Sequence, residues 1–513
     1  MNLEKEIVKK LLEKEKISRK IIDQTKREVC KKYGADCPPN VDLIEAYRAM
    51  ETKNKKLEAA LRLRPIRSLS GVVNVSVLTE PHDCPGDCLY CPTQEGAPKS
   101  YLDDEPAVMR AKLNNFNPEK QVKNRIHSLT KTGHPTDKVE LRIVGETWSH
   151  YDKSYRESFV KSCFEALNGK KEKTLKKAQK ENETAKKKMV TLSVETRPDY
   201  ITRKEIDHLR KLGVTMVEIG VQSIFSDVLR KNKRGHDVDA IVKATKMLKD
   251  AGFKVCYQIM PDLLGSDFSK DVEMMKLIFN DSRFKPDFLK IYPCMVLKEA
   301  PLYSLYEEGE YTPYEEEKLI ELLSKTKKEI IPYWVRIQRV IRDIPSQYVI
   351  AGGGSSNLRE EIQKKAETEG WRCNCIRCRE VGNDYNPEEK IKLFKMKYEA
   401  SKGKEIVLTF ENENRTKLYS LLRMRIPEDP YPKILQNSAI IREIHTYGQQ
   451  ITIKDGEILE TSPQHKGLGK KLVKKAEKIS PKKKISVISG VGARGYWKKH
   501  GYNLKDTYMI KNQ

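Results

Sequence analysis

The sequence predicts an α/β protein: a partial (β/α)6 barrel, a helical region ahead of it and a second, smaller α/β domain behind it. Three observations carry this. Six short apolar runs, at 72–78, 139–144, 190–194, 216–220, 254–260 and 288–292, alternate with helical stretches such as 206–212 and 240–251, and that alternation builds a parallel sheet. Six units are too few to close an eight-fold barrel. The residues before 71 and after about 391 follow other rhythms.

The 513 residues suffice for several domains, each with its own core. Residues 1–70 hold 18 Lys and Arg against 11 Asp and Glu, and Ile7, Leu11, Leu12, Ile21 and Ile22 form a loose helical stripe. This region reads as a basic RNA-contacting element or as a docked helical cap. The barrel is expected over 71–344. Within it, segment 168–189 carries nine Lys and reads as a solvated insertion. Residues 345–390, with Gly352, Gly353 and Gly354, read as a cysteine-containing linker. The second α/β pattern fills 391–513.

Charge narrows the partners. Lys and Arg number 98, Asp and Glu 73, a net charge of +25. Such a surplus attracts phosphate-rich partners, whereas a Lys- and Glu-rich thermophile surface stays closer to balance. No apolar run approaches a membrane span, and the charged N-terminus lacks the apolar core of a secretory signal. A cytoplasmic protein with no membrane partner is expected. Its 11 Cys, an odd number, do not suggest a disulfide framework.

Cys84, Cys88 and Cys91 follow the first apolar run with C-x3-C-x2-C spacing. Three thiolates on one loop can hold three irons of a [4Fe-4S] cluster, leaving the fourth open to chelate S-adenosylmethionine (SAM). A zinc knuckle completed by His82 is the competing reading. The position decides in favour of iron, because barrel active sites form where strands end. The other runs also end in polar residues: Gly145 and Glu146; Glu195 and Arg197; Gln222 and Ser223; Asp262; Lys290 and Tyr292. Six such ends in succession suggest a shared radical SAM site.

A second signature lies near the C-terminus. Gln464, His465, Lys466, Gly467, Leu468, Gly469 and Lys470 precede a helical stretch at 471–479 and a strand at 485–489. Q-x-x-G-x-G before a helix fits the pyrophosphate loop of GNAT-type acetyltransferases: glycines admit the phosphates, and the helix N–H groups bind them. Strand-forming runs at 418–425 and 439–447 precede it in the order that fold requires. Tyr496 falls where a tyrosine often sits by the thioester sulfur, or is a core aromatic. Lys290 and Tyr496 are the candidate catalytic side chains, and acetyl-CoA is the expected substrate of this domain.

From about residue 70 onward the chain resembles the catalytic subunit of the Elongator complex in its single-chain archaeal form. The resemblance rests on Glu-Thr-Arg-Pro-Asp-Tyr at 195–200, Glu-Ile-Gly-Val-Gln-Ser at 218–223, Arg-Gly-His at 234–236, Met-Pro-Asp-Leu at 260–263, Arg-Val-Ile-Arg-Asp-Ile-Pro at 339–345, Glu-Ile-His-Thr-Tyr-Gly at 443–448 and Ile-Ser-Gly-Val-Gly at 488–492. It implies an enzyme that joins an acetyl-CoA-derived group to carbon 5 of the tRNA wobble uridine, giving 5-carboxymethyluridine. It further implies a 5′-deoxyadenosyl radical that activates the acetyl methyl, binding to the anticodon region, an electron donor and accessory subunits. By the same resemblance Cys84, Cys88 and Cys91 ligate the cluster. Gly145, Glu146, Glu195, Arg197, Gln222 and Ser223 surround SAM, and 464–470 cradles CoA. Many members space the first two cluster cysteines more widely; here the spacing is that of the wider radical SAM superfamily.

Cys373, Cys375 and Cys378 place three thiols in six residues. A structural zinc needs four ligands, and Cys294 is the candidate fourth; unligated thiols and a second iron–sulfur cluster are the alternatives. Some members of the family lack these cysteines, which points to structure rather than catalysis. Two other functions are weighed: a lysine acetyltransferase acting on proteins, and a tRNA-binding scaffold with degenerate sites. Coupled chemistry requires the cluster and the CoA loop to face one another across the domain interface, with a channel between them.

Overall fold

The computed structural model describes residues 3–14, 17–50, 54–63, 68–355, 357–382, 384–448 and 467–513. In chain order the first strands are β1 (Val72–Leu78), β2 (Lys138–Val144), β3 (Lys188–Thr196), β4 (Met216–Gln222), β5 (Lys254–Ile259), β6 (Phe288–Ile291), β7 (Met295–Leu297), β8 (Arg336–Arg339) and β9 (Val349–Gly352). A curved sheet runs β1-β2-β3-β4-β5-β6-β8, every neighbouring pair parallel. Period-two alternation sorts each strand's two faces. Along β2, Val139, Leu141 and Ile143 join the core beneath the outer helices, while Glu140 and Arg142 line the bore. The bore is thus charged, not packed with aliphatic layers. The helices between strands carry ordinary signals. Thr202 caps Arg203–Leu212 by accepting the Glu205 N–H at 3.1 Å, and Gly213 ends that helix at φ +90°.

Three features depart from the sequence reading. The sheet has a seventh strand, β8, whose Ile337 pairs with Leu289 of β6; its Arg-Ile-Gln-Arg composition has no apolar run to reveal it. Residues 345–390 are not a simple linker. There β9 pairs antiparallel with β7, and helix Leu358–Thr368 buries Leu358 and Ile362 in the barrel core with Cys373 and Cys375.

Segment 168–189 is likewise no free insertion. Helix Leu175–Asn182 buries Leu175 and Ala178. Asn182 binds Asn168 and the Met189 N–H, each at 2.8 Å. The lysines occupy the outward side only.

The N-terminal helices Leu3–Leu12, Arg19–Tyr33, Asn40–Arg48 and Lys55–Leu61 have their own core around Ile7, Leu11, Ile22, Leu43 and Ile44. They dock on the end of helix Pro118–Lys131 and the turn after it: Arg48 donates to the Thr130 carbonyl at 2.8 Å, and Arg62 to that of Gly133 at 2.9 Å.

The C-terminal strands are β10 (Ile391–Ala400), β11 (Gly403–Asn412), β12 (Leu418–Ile426), β13 (Ser438–Thr446), β14 (Lys484–Val487), β15 (Asn503–Lys505) and β16 (Tyr508–Asn512), ordered β10-β11-β12-β13-β14-β16-β15. Only β13 and β14 are parallel, and they pair from Ser438 to Ile441 alone; β13 continues along β12 to Thr446. The two strands therefore part beyond Ile441.

This domain docks on the N-terminal ends of the barrel strands through a buried ionic network. Arg442 binds Asp287 and the Phe253 carbonyl, and Arg425 binds Asp250 and Glu405. Lys249 lies 3.8 Å from Asp287 and 3.7 Å from Glu405. The Gly490 and Gly492 turn presses on β3 so closely that a Cβ at Gly490 would lie 2.0 Å from the Val190 carbonyl oxygen. The cysteine loop stands at the other ends of the strands and so does not face this interface directly.

Removing one partner from a fully buried ion network strands the others without compensation. Arg442→Met should therefore cost about 3–5 kcal/mol of stability. Chemical denaturation checks this; an unchanged midpoint would show that the network contributes nothing.

Candidate active site

A groove of about 1060 Å³ runs along the open side of the barrel. Its upper wall holds Cys84, Cys88 and Cys91, its middle Arg142, Gln258 and Lys290, and its lower end Arg336, Arg377 and Glu380.

The cysteine loop is pinned by the neighbouring strand-end loops. The Leu89 N–H donates to the Asn232 carbonyl at 3.2 Å, the Leu302 N–H to that of Leu89 at 2.8 Å, and Lys99 Nζ to that of Gly86 at 2.7 Å. Gly86 is required by close approach: a Cβ there would meet Arg197 Nη1 at 2.4 Å. Among the described residues, only Cys373, Cys375 and Cys378 gather their sulfurs within 4.8 Å, the grip of a single ion. The groove trio is spread more widely, as three corners of a four-iron cluster require.

Among the buried polar atoms near that loop with no hydrogen-bond partner among the described residues are Glu146 Oε2, Arg197 Nη1 and Gln222 Oε1. A carboxylate, a guanidinium and an amide left unsatisfied together suit the ammonium and carboxylate of an amino-acid cofactor such as SAM. The rest of each side chain is fixed. Glu146 Oε1 accepts the Lys99 N–H at 2.7 Å and the His82 N–H at 3.3 Å, yet burial still raises its pKa. Arg197 is braced by Asp199 at 2.8 and 3.0 Å. Gln222 sits at φ +64°, where β4 slips register against β5. Gly145, at φ +148°, leaves no room for a Cβ against Thr79 Oγ1.

Below this lies an ionic cluster. Lys290 Nζ contacts Glu195 Oε1 at 2.8 Å and also Glu218. Arg142 donates to Glu218 and Gln338 at 2.8 and 2.7 Å, and Gln258 donates to Glu195 at 3.0 Å. Burial alone would lower the Lys290 pKa, but Glu195 and Glu218 outweigh it and raise it well above the ordinary value. Burial would raise that of Glu218, but Arg142 and Lys290 hold it at about 2. Lys290 is thus a fixed cation rather than a proton shuttle.

Two expected ligands lie elsewhere. Ser223 is buried in its own turn, accepting the Phe225 N–H at 3.2 Å, because the chain reverses after Gln222. Cys294 is not part of the Cys373, Cys375 and Cys378 group; it packs with Cys88, Leu263 and Tyr311 behind the first loop, held there by its N–H bond to the Pro261 carbonyl. Sequence analysis does not single out Arg142 and Gln258 as groove residues, nor Glu218 as the buried carboxylate they contact. A charged or amide side chain at alternate positions of an apolar strand was the available signal.

In the C-terminal domain Gln464, His465 and Lys466 lie outside the described residues. Gly467, at φ +72°, opens helix Leu468–Ile479, and Lys470 is exposed on it. Gly469 faces Tyr496: a Cβ there would lie 3.4 Å from the Tyr496 hydroxyl and 3.6 Å from Thr446 Oγ1. Tyr496 is 39% exposed, so it is not a core aromatic. Leu468 belongs to the same buried cluster as Ile376 and Val381, which flank Arg377 and Glu380 of the groove wall. The helix start and the lower end of the groove are thus linked through one buried cluster.

Residues 1–69 match the ELP3 N-terminal domain, 81–278 the radical SAM superfamily and 286–368 the radical SAM C-terminal domain. A tRNA uridine(34) acetyltransferase of Methanocaldococcus infernus is 43% identical over 98% of this chain and 97% of its own length. Elongator complex protein 3 of Drosophila melanogaster is 35% identical over 99% and 95%. The solved structure of archaeal M. infernus Elp3, lacking N-terminal residues 1–46, covers 87% of this chain and all of its own, with 42% identity and a TM-score of 0.77. Among the described residues no helix is long and apolar enough to cross a membrane. The shared family models and near-full-length identities show that the chain belongs to the radical SAM family of Elongator complex protein 3 and the archaeal tRNA uridine(34) acetyltransferases.

Proposed function

We propose that this chain modifies the wobble uridine of tRNA, using SAM and acetyl-CoA to install a carboxymethyl group at carbon 5. One observation carries the reading. A single groove leads from three thiols, past a buried cation, to an arginine-lined end whose flanking residues share a buried cluster with the helix that opens at Gly467. The domains need not face each other, because the groove spans the barrel between them. When bound, the [4Fe-4S] cluster and SAM supply a 5′-deoxyadenosyl radical able to take hydrogen from the acetyl methyl.

The chain's own residues do the rest. Cys84, Cys88 and Cys91 hold the cluster, and Glu146, Arg197 and Gln222 hold the amino-acid end of SAM. Lys290 keeps a positive charge in mid-groove, where it stabilises charge developing on a carbonyl oxygen. The residues around 467–470 form a GNAT-type cradle in which helix N–H groups meet the CoA phosphates, with Tyr496 beside it. Cys373, Cys375 and Cys378 supply three of the four ligands of a structural zinc at the barrel edge beside the C-terminal sheet. The N-terminal helices and the +25 surface engage the anticodon region. A one-electron donor and accessory subunits complete the system.

The test supplies the reconstituted protein with SAM, a reductant and acetyl-CoA labelled in its acetyl carbons, together with tRNA or a lysine peptide. Label in 5-carboxymethyluridine is expected. Label on the peptide alone would replace this reading by protein acetylation, and label on neither would leave a binding scaffold. Removing residues 1–70 should weaken tRNA binding and flatten its salt dependence while iron content stays unchanged. Unaltered affinity at every salt concentration would reduce that region to a structural cap.

A further inference from the structure

Arg234 follows the short helix Ser226–Lys231. The chain turns there through Lys233 at φ +51°, and the Asn232 carbonyl grips the cysteine loop at Leu89. The Arg234 side chain then runs under that loop. Its Nη2 donates to the Gly220 carbonyl at 2.8 Å, and its Nη1 lies 3.4 Å from Cys88 Sγ. The contact has no slack, since a Cβ on Gly220 would meet Nη2 at 2.6 Å. Arg234 is 8% exposed, and its Nε has no partner among the described residues. The groups facing it that can carry negative charge are Cys88, Cys91 and Tyr90. A buried guanidinium needs a compensating anion. With a cluster bound, the ligand thiolates of the first cysteine loop would be that anion.

Hydrogen bonds to the ligand sulfurs and nearby charge set the potential of an iron–sulfur centre. Each electron added to the cluster adds one negative charge beside the guanidinium, so the cation favours the reduced state. We propose that Arg234 is a positioning residue that orients Cys88 and raises the reduction potential of the cluster, making it accessible to a biological one-electron donor. This rests on the assignment of Cys84, Cys88 and Cys91 to that cluster, but not on RNA or acetyl-CoA as substrates.

The test uses the full chain, reconstituted anaerobically with iron and sulfide, as wild type, Arg234→Gln, Arg234→Met and Arg234→Lys. Iron content is measured first, then the midpoint potential by titration followed by electron paramagnetic resonance. At the wild-type midpoint, Arg234→Gln and Arg234→Met should lower the ratio of reduced to oxidised cluster on the order of tenfold, about 59 mV for one electron, with an altered resonance. Arg234→Lys, which keeps the charge, should recover most of the potential. An unchanged midpoint in either uncharged variant that holds wild-type iron would overturn the proposal. Loss of iron from all three variants would also overturn it, leaving Arg234 a brace of the loop. A wild type that takes up no four-iron cluster would overturn the underlying assignment first; failure of tRNA modification alone would leave this result standing.

Discussion

Cys88→Ser is expected to lower iron from about four per chain to near zero and to abolish SAM cleavage, while the protein remains folded. A serine hydroxyl is a far weaker iron ligand than a thiolate, and two thiolates on a loop rarely hold a four-iron centre. The fold should survive because the main barrel core lies under the outer helices, whereas Cys88 packs in a separate small cluster with Leu89, Tyr90 and Leu263. The loop keeps its backbone bonds to the segments at 232 and 302. Iron analysis, visible absorbance and 5′-deoxyadenosine release report the outcome, with circular dichroism as the control for folding. A Cys88→Ser protein that retains both the cluster spectrum and full SAM cleavage would refute the assignment. A wild type that binds one zinc ion in place of iron would return the loop to the knuckle reading.

Gly467→Glu should eliminate acetyl-CoA binding and tRNA modification together, with the cluster intact. Gly467 stands at φ +72° directly before helix Leu468–Ile479. Among the described residues a Cβ there meets no atom within 4 Å, so it collides with none of them. Two effects act instead. A side chain in left-handed backbone costs roughly 1–2 kcal/mol, and a carboxylate occupies the helix N-terminus that phosphate would use. Gly467→Asn separates the two, because asparagine tolerates that backbone and adds no charge; it should bind acetyl-CoA within several-fold of wild type. Calorimetry, iron content and nucleoside analysis on one preparation give the three readouts. Normal carboxymethylation without acetyl-CoA binding would uncouple the domains and make the C-terminal one an independent acetyltransferase.

What the sequence determined by itself is what lies within one element or one loop. The apolar runs placed the first six barrel strands, because a buried parallel strand needs several apolar residues in succession. The C-x3-C-x2-C spacing located the upper wall of the groove, and the Gly467 turn located the start of its helix. Tertiary structure decided what depends on partners. β8 is a strand only because β6 offers it an edge, and its own arginines gave no sign. Segment 168–189 packs because Leu175, Ala178 and Asn182 share one helical side, which a count of lysines hides. Ser223 and Cys294 carried suitable chemistry at suitable places in the chain, yet a turn buries one and backbone bonding holds the other behind the loop. The docking end of the C-terminal domain was illegible for the same reason. It is set by Asp287, Glu405, Arg425 and Arg442, charges distant in sequence that become partners only once both sheets have formed, since a buried charge is stable only where its counter-charge is delivered to it.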